Sequence, residues 1–260
     1  MKYSKVLITG AGSYIASQIL DKIDFGDSEI FLVSRKTLNP PLMSNYVKAN
    51  HLILDDFGDE DSFQLVQNFL HLRTDDCLLV LNFIGVFGSI TSIDEINNDA
   101  FHSELKQNLN PFLTLSKLIV NCYAGLLISF SGGGIGGDNL ETISPSYLAS
   151  KAALVLMIEG LDKTYSERGI RFTAVSPGAF PSRMQDIVAN SLDGSVVSQQ
   201  RRDEAKRTLN SKSDPTKLIE LINFLIKNPE VAGGRIWSAN YDQLTAKNVA
   251  ANFGKLRRVF

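Results

Sequence analysis

A tyrosine and a lysine stand four residues apart where a helix is predicted to begin. Tyr147 and Lys151 follow Ser144 and Pro145; serine can cap a helix start, and proline fits the first turn because its missing N–H removes no helical hydrogen bond. Residues four apart share one helix face. The lysine ammonium and the positive helix end both favour tyrosinate, so we expect a Tyr147 pKa below about 10 and a phenol that exchanges protons.

Alone, such a pair is better explained as an accidental surface arrangement, so the elements around it must decide. The chain opens with a short apolar strand, a glycine-rich turn and an amphipathic helix pattern. Glycines let a backbone approach a pyrophosphate, and the free N–H groups of a helix start hold its charge. The pattern predicts a dinucleotide-binding turn, with a plain tight turn as the alternative; its residues are Thr9, Gly10, Gly12, Ser13, Tyr14 and Ile15.

The second predicted strand ends in Ser34 and Arg35. In dinucleotide folds a carboxylate at this place bonds the ribose hydroxyls of NAD, whereas a cation accommodates the extra phosphate of NADP. The residues therefore favour NADP(H) over NAD(H), and a solvated basic turn is the alternative.

Apolar strands alternate with helical patterns along the chain, which predicts a parallel sheet with helices on both faces. We expect an α/β fold, a doubly wound sheet of about seven strands forming one domain over residues 1–260. A long helix is predicted from about 98 to 123, and the polar segment 179–213 is predicted to be a substrate lid of short helices and loops. Ligands bind beyond the carboxyl ends of such strands, where the pattern places Arg35, Asp56, Asn82, Ser131, Pro177 and Gly178.

The composition favours a small-molecule role. The 26 Lys and Arg residues nearly balance 28 Asp and Glu, so no overall field attracts nucleic acid or an anionic membrane. We expect a soluble, cytoplasmic protein, because no secretory signal and no apolar run of about 20 residues is found. Cys77 and Cys122 read as core thiols of a reducing compartment, and the scattered histidines indicate no metal site.

Taken in order, these motifs resemble the short-chain dehydrogenase/reductase family over essentially the whole chain. The match rests on Thr9-Gly10-Ala11-Gly12, Asp56, Asn82-Phe83-Ile84-Gly85, Asn108, Ser131, Tyr147-Leu148-Ala149-Ser150-Lys151 and Ser176-Pro177-Gly178. The resemblance implies a Rossmann-type fold and hydride transfer between a nicotinamide and a carbonyl or hydroxyl group.

The resemblance also implies a role for each matching residue. Tyr147 would be the acid or base at the substrate oxygen, Lys151 would bond the nicotinamide ribose, and Ser131 would polarise the substrate carbonyl. Asn108 would anchor a proton-relay water. Cofactor contacts would come from the glycine turn, Ser34, Arg35, Asp56, Asn82, Gly85, Pro177 and Gly178.

The chain departs from the family pattern at several positions. Tyr14 and Ala16 stand where many members have glycine, which predicts a differently shaped pyrophosphate pocket. Phe83 replaces the second asparagine of the usual motif. Ser131 and Tyr147 are 16 positions apart, which predicts an enlarged loop over the substrate.

Two segments bear on the substrate. Ser131–Gly134 and Gly234–Ala239 resemble a subgroup associated with bacterial surface-saccharide synthesis, implying a keto-sugar or nucleotide-sugar substrate. Arg183, Arg201 and Arg202 could contact a substrate phosphate, with solvated helix faces as the alternative.

The resemblance further implies a homodimer or homotetramer. The interface would be a four-helix arrangement of the helices near 98–123 and 145–168, including Leu154, Met157, Ile158 and Leu161. Two rival functions remain open: a dinucleotide-binding sensor without chemistry, and an epimerase or dehydratase with tightly held NAD. Fewer than 90 residues follow the sixth strand, which is short for the substrate domain of the second rival.

Overall fold

A seven-stranded parallel sheet forms the centre of the protein. The computed structural model describes residues 2–38, 49–131, 143–211, 213–240 and 242. Across these ranges the sheet order is β3-β2-β1-β4-β5-β6-β7, and each neighbouring pair is parallel. The strands are β1 (Lys5–Thr9), β2 (Glu29–Ser34), β3 (Asn50–Ile53), β4 (Cys77–Asn82), β5 (Ala124–Phe130), β6 (Ile170–Ser176) and β7 (Ile236–Ser238). The α/β fold predicted from the sequence is confirmed.

Helices cover both faces of this sheet. They are α1 (Tyr14–Ile19), α2 (Glu60–Phe69), α3 (Asn98–Ile119), α4 (Pro145–Tyr165), α5 (Arg183–Ala189), α6 (Gln199–Asn210), α7 (Thr216–Lys227) and α8 (Pro229–Ala232), with 3₁₀ turns at Leu20–Lys22 and Ser166–Arg168. One face packs against α1 and α7 through residues such as Ile19 and Leu221. The other packs against α2, α3 and α4 through Val66, Phe112 and Val155. This layering explains the nearly continuous apolar strands, because strands covered on both faces have no solvated side.

The predicted bounds differ from the observed ones mainly at helix ends. The helix predicted over 98–123 ends at Ile119, and it runs through Pro111, whose ring is buried. The last strand is short and runs from Ile236 to Ser238. In the predicted lid, 179–213, the described residues form α5 and α6 with connecting loops.

The predicted interface residues are partly wrong. Leu154 is 3% exposed and Ile158 is fully buried, and both belong to the chain's own core beneath α4. Leu156 is 53% exposed instead. The sequence misleads here because α4 is apolar on nearly every side, so periodicity does not show which stripe faces the sheet.

The turn between β1 and α1 approaches the backbone that follows β4. Gly10 has φ +67°, and a Cβ built there would lie 2.9 Å from the carbonyl carbon of Phe83 and 3.0 Å from the nitrogen of Ile84. Both atoms are backbone and cannot rotate away. Position 10 therefore excludes a side chain for two reasons, a left-handed conformation and a close approach.

We predict that Gly10→Ala lowers the free energy of unfolding by about 2 kcal/mol more than Gly26→Ala does, because the clash adds to the backbone strain. Gly26 is a matched control: it has φ +59° and nothing within 4 Å of an added Cβ. Urea unfolding of both variants measures the difference. Equal losses would show that the close approach contributes nothing.

Candidate active site

The start of α4 is held by the loop that follows β4. Pro145 occupies the first turn as predicted, but Ser144 makes no side-chain cap bond. Its hydroxyl instead donates to the carbonyl of Phe87 at 2.7 Å. Ser144 is therefore the N-cap residue, as predicted, but its hydroxyl binds a loop carbonyl instead of a helix N–H.

Tyr147 and Lys151 do share one face of α4. The Nζ atom of Lys151 lies 5.5 Å from the centroid of the Tyr147 ring, and it donates a 2.9 Å hydrogen bond to the carbonyl of Phe130, the last residue of β5. A Cβ on Gly85 would lie 3.3 Å from the same nitrogen. The ammonium is thus enclosed by the end of β5, the loop after β4 and the tyrosine ring.

Ser131 follows directly on β5 at this point. Its backbone N–H donates to the carbonyl of Val175 at 2.9 Å, which joins the ends of β5 and β6. Its hydroxyl oxygen is buried and finds no hydrogen-bond partner among the described residues. Leaving a buried hydroxyl unbonded costs about 1–3 kcal/mol, so a group that binds there would gain a ready partner.

Burial dominates the acid–base properties of the pair. It raises the pKa of Tyr147 to about 12 and lowers the pKa of Lys151 to about 8. The sequence predicts the opposite direction for Tyr147. The reason is that loss of water around the ring penalises tyrosinate more than the nearby ammonium favours it.

Asn108 on α3 is engaged with the loop after β4. Its Oδ1 accepts from the N–H of Val86 at 2.8 Å, and its Nδ2 donates to the carbonyl of the same residue at 2.9 Å. Its role with a relay water stays a prediction; the observed bonds show that it holds this loop.

Thr9 and Asn82 tie neighbouring strands together. The hydroxyl of Thr9 donates to Oδ1 of Asn82 at 2.9 Å, and Nδ2 of Asn82 donates to the hydroxyl of Ser129 at 3.2 Å. Phe83, which replaces the expected asparagine, stacks on Phe130 at 4.4 Å between ring centroids. The substitution therefore adds an aromatic contact between the loop after β4 and the last residue of β5.

The glycine turn leads into α1, and a serine of the turn already bonds one N–H group of the helix start. The hydroxyl of Ser13 caps the helix by accepting from the N–H of Ala16 at 3.2 Å. Ala16 is fully buried, and Tyr14 is 40% exposed. The larger residue at position 14 thus lies towards solvent, while Ile15 packs against the core.

Ser34, at the end of β2, contacts a histidine on β3 that the sequence does not single out. The hydroxyl of Ser34 donates to the carbonyl of Lys36 at 2.6 Å, so its 2.8 Å contact with Nε2 of His51 requires the imidazole to be the donor. Burial lowers the pKa of His51. Ser34 lies close to the glycine turn, since a Cβ on Gly12 would be 4.0 Å from its Cβ.

The remaining predicted cofactor residues lie at the same edge of the sheet. Arg35 and Asp56 are exposed, while Gly178 is half-buried after β6 with φ +88°. The segment Gly132–Gly134 and the tail 243–260 lie outside the described residues. No group of three or more His, Cys, Asp or Glu side chains able to hold a metal is found within the described ranges. In those same ranges no helix is long and apolar enough to cross a membrane.

An apolar cluster packs against the half-buried Tyr147 ring, and no local sequence pattern indicates it. Phe87 is nearest, with its ring centroid 5.2 Å away. We call this set the Tyr147 cluster: Phe87, Ile90, Ile143, Tyr147, Met184, Ile187, Val188, Ala189, Val196, Val197, Ala205 and Leu209. Helices α5 and α6 supply six of these residues, and the segment between the two helices supplies two more. The predicted lid therefore packs against the tyrosine by apolar contact.

Two arginines of the predicted lid, Arg201 and Arg202, make polar contacts within the lid itself. Arg201 lies 3.4 Å from the carboxylate of Glu204, and Arg202 donates to the carbonyl of Val197 and to Gln199. Arg183 is exposed. Arg201 and Arg202 are half-buried rather than on a solvated face, and their contact with a substrate phosphate stays a prediction.

We predict that Lys151→Met stabilises the protein at pH 7 by about 1 kcal/mol, since burying an ammonium disfavours folding. The folded pKa of about 8 is below the unfolded value. The penalty is therefore complete below pH 8 and disappears as the pH rises to about 10.4. Urea unfolding of both proteins from pH 7 to 10.5 measures the gap, and a gap that widens with pH would contradict the assignment.

Comparison with known proteins agrees with this geometry. A family model described as short chain dehydrogenase matches residues 4–192. A 3-oxoacyl-[acyl-carrier-protein] reductase of Rickettsia typhi is 27% identical over 198 residues, covering 74% of this chain and 78% of that protein.

Two solved structures illustrate the shared fold. A short chain dehydrogenase/reductase from Saccharomyces cerevisiae has a TM-score of 0.77 at 20% identity, covering 94% of this chain and 98% of that one. A short chain dehydrogenase from Shigella flexneri, complexed with NADP, has a TM-score of 0.66 at 19% identity, covering 92% and 98%. The chain belongs to the short-chain dehydrogenase family and is an oxidoreductase of that family.

Proposed function

We propose that this protein is an NADP(H)-dependent carbonyl reductase in which Tyr147 supplies the proton and Ser131 binds the substrate oxygen. The observation that carries the proposal is the buried hydroxyl of Ser131, which has no hydrogen-bond partner among the described residues. It stands one residue after Phe130, whose carbonyl holds Lys151. A carbonyl oxygen accepting from Ser131 would satisfy that hydroxyl beside the phenol.

The residues fit a nicotinamide dinucleotide. Gly10 lets the turn after β1 pack against the backbone after β4, which puts the start of α1 at the carboxyl edge of the sheet, where dinucleotides bind. The bound dinucleotide would supply the hydride. The residues proposed to hold it are Thr9, Gly10, Gly12, Ser13, Tyr14, Ile15, Ser34, Arg35, Asp56, Asn82, Gly85, Tyr147, Lys151, Pro177 and Gly178.

The protonation states suit reduction. With pKa values of about 12 and about 8, Tyr147 is a neutral phenol and Lys151 an ammonium at pH 7. A phenol donates its proton to an oxygen that gains negative charge, and the ammonium then stabilises the tyrosinate that remains. The apolar cluster that packs against the half-buried ring limits the water around the phenol.

The preference for NADP(H) rests on charge at the end of β2. Arg35 and Lys36 are exposed there, and Ser34 occupies the place of a ribose-binding carboxylate. The related dehydrogenase from Shigella flexneri was solved with NADP, which supports the same preference.

Two substrate classes follow from different observations. The sequence resemblance favours a keto-sugar or nucleotide-sugar. The Phe87 ring beside Tyr147 favours a carbonyl flanked by apolar groups, and the Rickettsia typhi relative is named for a 3-oxoacyl substrate. Arg201 and Arg202 already contact residues of their own segment, so they do not favour binding of a nucleotide diphosphate at α6. We therefore place the 3-oxoacyl class first and the saccharide class second.

The cofactor preference is tested by titrating NADPH and NADH into the purified protein. The substrate class is then tested by adding a 3-oxoacyl thioester, a keto-sugar or a nucleotide keto-sugar and following the nicotinamide absorbance. We expect tighter binding of NADPH and turnover of the acyl compound. Tight binding with no turnover of any carbonyl would favour the sensor alternative. The predicted homodimer or homotetramer is tested on the same sample by light scattering.

We predict that Tyr147→Phe lowers kcat by about 10²–10⁴-fold, the usual contribution of general acid catalysis, and leaves the NADPH dissociation constant within about twofold of wild type. Tyr165→Phe is the matched control, since Tyr165 lies on the same helix and its ring packs near Phe172. Wild-type turnover in Tyr147→Phe would refute the assignment of the proton donor.

A further inference from the structure

Three hydrogen bonds converge on one carboxylate beside the start of α4. Glu104, on α3, accepts from the backbone N–H of Ser89 at 2.8 Å and from the Ser89 hydroxyl at 2.6 Å, both through Oε1. Its Oε2 accepts from the hydroxyl of Ser146. Ser146 is the second residue of α4 and the immediate neighbour of Tyr147.

The same contact leaves no space at Gly88. That residue has φ +80°, and an added Cβ would overlap the carboxylate of Glu104 and lie 2.8 Å from the hydroxyl of Ser146. The loop backbone, the α3 side chain and the start of α4 thus meet closely at one point. A carboxylate suits this point because it only accepts hydrogen bonds, and three donors face it.

The Glu104 carboxylate is one of several groups that hold the loop segment Val86–Ser89 against α3 and the start of α4. One turn further along α3, Asn108 binds both backbone polar groups of Val86. From the opposite side, Ser144 donates to the carbonyl of Phe87 at 2.7 Å. The segment is therefore bonded to α3 at both ends and to the start of α4 in between.

This segment sets the surroundings of the proposed reacting groups. The Phe87 ring lies 5.2 Å from the Tyr147 ring, and Gly85, just before the segment, adjoins Nζ of Lys151. Loss of the carboxylate would release Ser146 and Ser89 together. The segment with Phe87 and the start of α4 with Tyr147 would then no longer be bound to the same side chain of α3.

We propose that Glu104 is a positioning residue for Tyr147, acting through Ser146 and Ser89 rather than by touching substrate or cofactor. The inference rests on the proposed function of Tyr147. It adds that the tyrosine is placed by a carboxylate 43 positions earlier in the chain. Catalysis is sensitive to such placement, because misplacing a reacting group by about 1 Å can cost about 10²-fold in rate.

Two substitutions at position 104 separate geometry from charge. Glu104→Gln keeps an oxygen for Ser89, and its amide can donate to the hydroxyl of Ser146, so the attachment survives without the charge. Glu104→Ala removes all three bonds. Ser103→Ala is the matched control, because Ser103 is exposed on the same turn of α3 and its hydroxyl accepts from Gln107.

The measurement is kcat per NADPH-binding site, together with the NADPH dissociation constant and the melting temperature. We expect Glu104→Ala to lower kcat by about 10–100-fold with NADPH affinity within about twofold of wild type. Glu104→Gln should remain within about threefold of wild type, and Ser103→Ala should be unchanged. A merely structural role would lower the melting temperature and the number of binding sites without changing kcat per site.

A double-mutant cycle with Ser146→Ala tests the route. If Glu104 acts through Ser146, the double variant loses less than the product of the two single losses in kcat. If Glu104→Ala does not fold, Ser146→Ala and Glu104→Gln decide: we expect a reduced kcat in the first and near wild-type kcat in the second.

Several results would overturn the inference. Wild-type kcat in folded Glu104→Ala, equal losses in the Gln and Ala variants, or fully multiplicative effects with Ser146→Ala would each do so. The parent proposal fails separately, through an active Tyr147→Phe. An inactive Tyr147→Phe beside a fully active Glu104→Ala would reject the positioning role alone.

Discussion

The hydrogen bond from Lys151 to the carbonyl of Phe130 joins the last residue of β5 to the second turn of α4. Ser131 follows Phe130 directly, and Tyr147 lies one turn before Lys151. One bond therefore fixes the distance between the two segments that carry the proposed substrate-binding hydroxyl and the proposed proton donor. The rest of the sheet serves this junction, since parallel strands end at one edge and bring residues distant in sequence together.

Burial gives this junction its chemistry and also a cost. The enclosure that keeps water away raises the pKa of Tyr147 and lowers that of Lys151. A buried ammonium and a buried hydroxyl with no partner among the described residues both destabilise the fold. Such groups are retained at sites where function requires them. The loop after β4 holds the arrangement from the other side, through Asn108, Ser144 and Glu104.

The fold was predictable because its signals are local. Val6–Ile8 followed by Gly10 and Gly12 already indicates a strand, a turn and a helix, and the Tyr147–Lys151 spacing follows from helix geometry. What the sequence did not show depends on distant contacts. The bond between Ser34 and His51 spans 17 positions and that between Glu104 and Ser146 spans 42. The buried stripe of α4 was misjudged because Leu154 and Leu156 look alike until the sheet covers one of them.

The central claim is that burial keeps Tyr147 a neutral phenol at pH 7, and that positive charge brought to its site by an oxidised cofactor would offset that burial. The Nζ atom of Lys151 lies 5.5 Å from the ring centroid, but with a pKa of about 8 the lysine loses its charge before the phenol titrates. A bound oxidised nicotinamide would supply the positive charge instead. The most direct test is a tyrosinate absorbance titration of the wild type minus Tyr147→Phe, with and without saturating NADP⁺. We predict one ionisation, near pH 12 in the free protein and below about 10 in the complex. An ionisation that stays at the same pH in both would contradict the account.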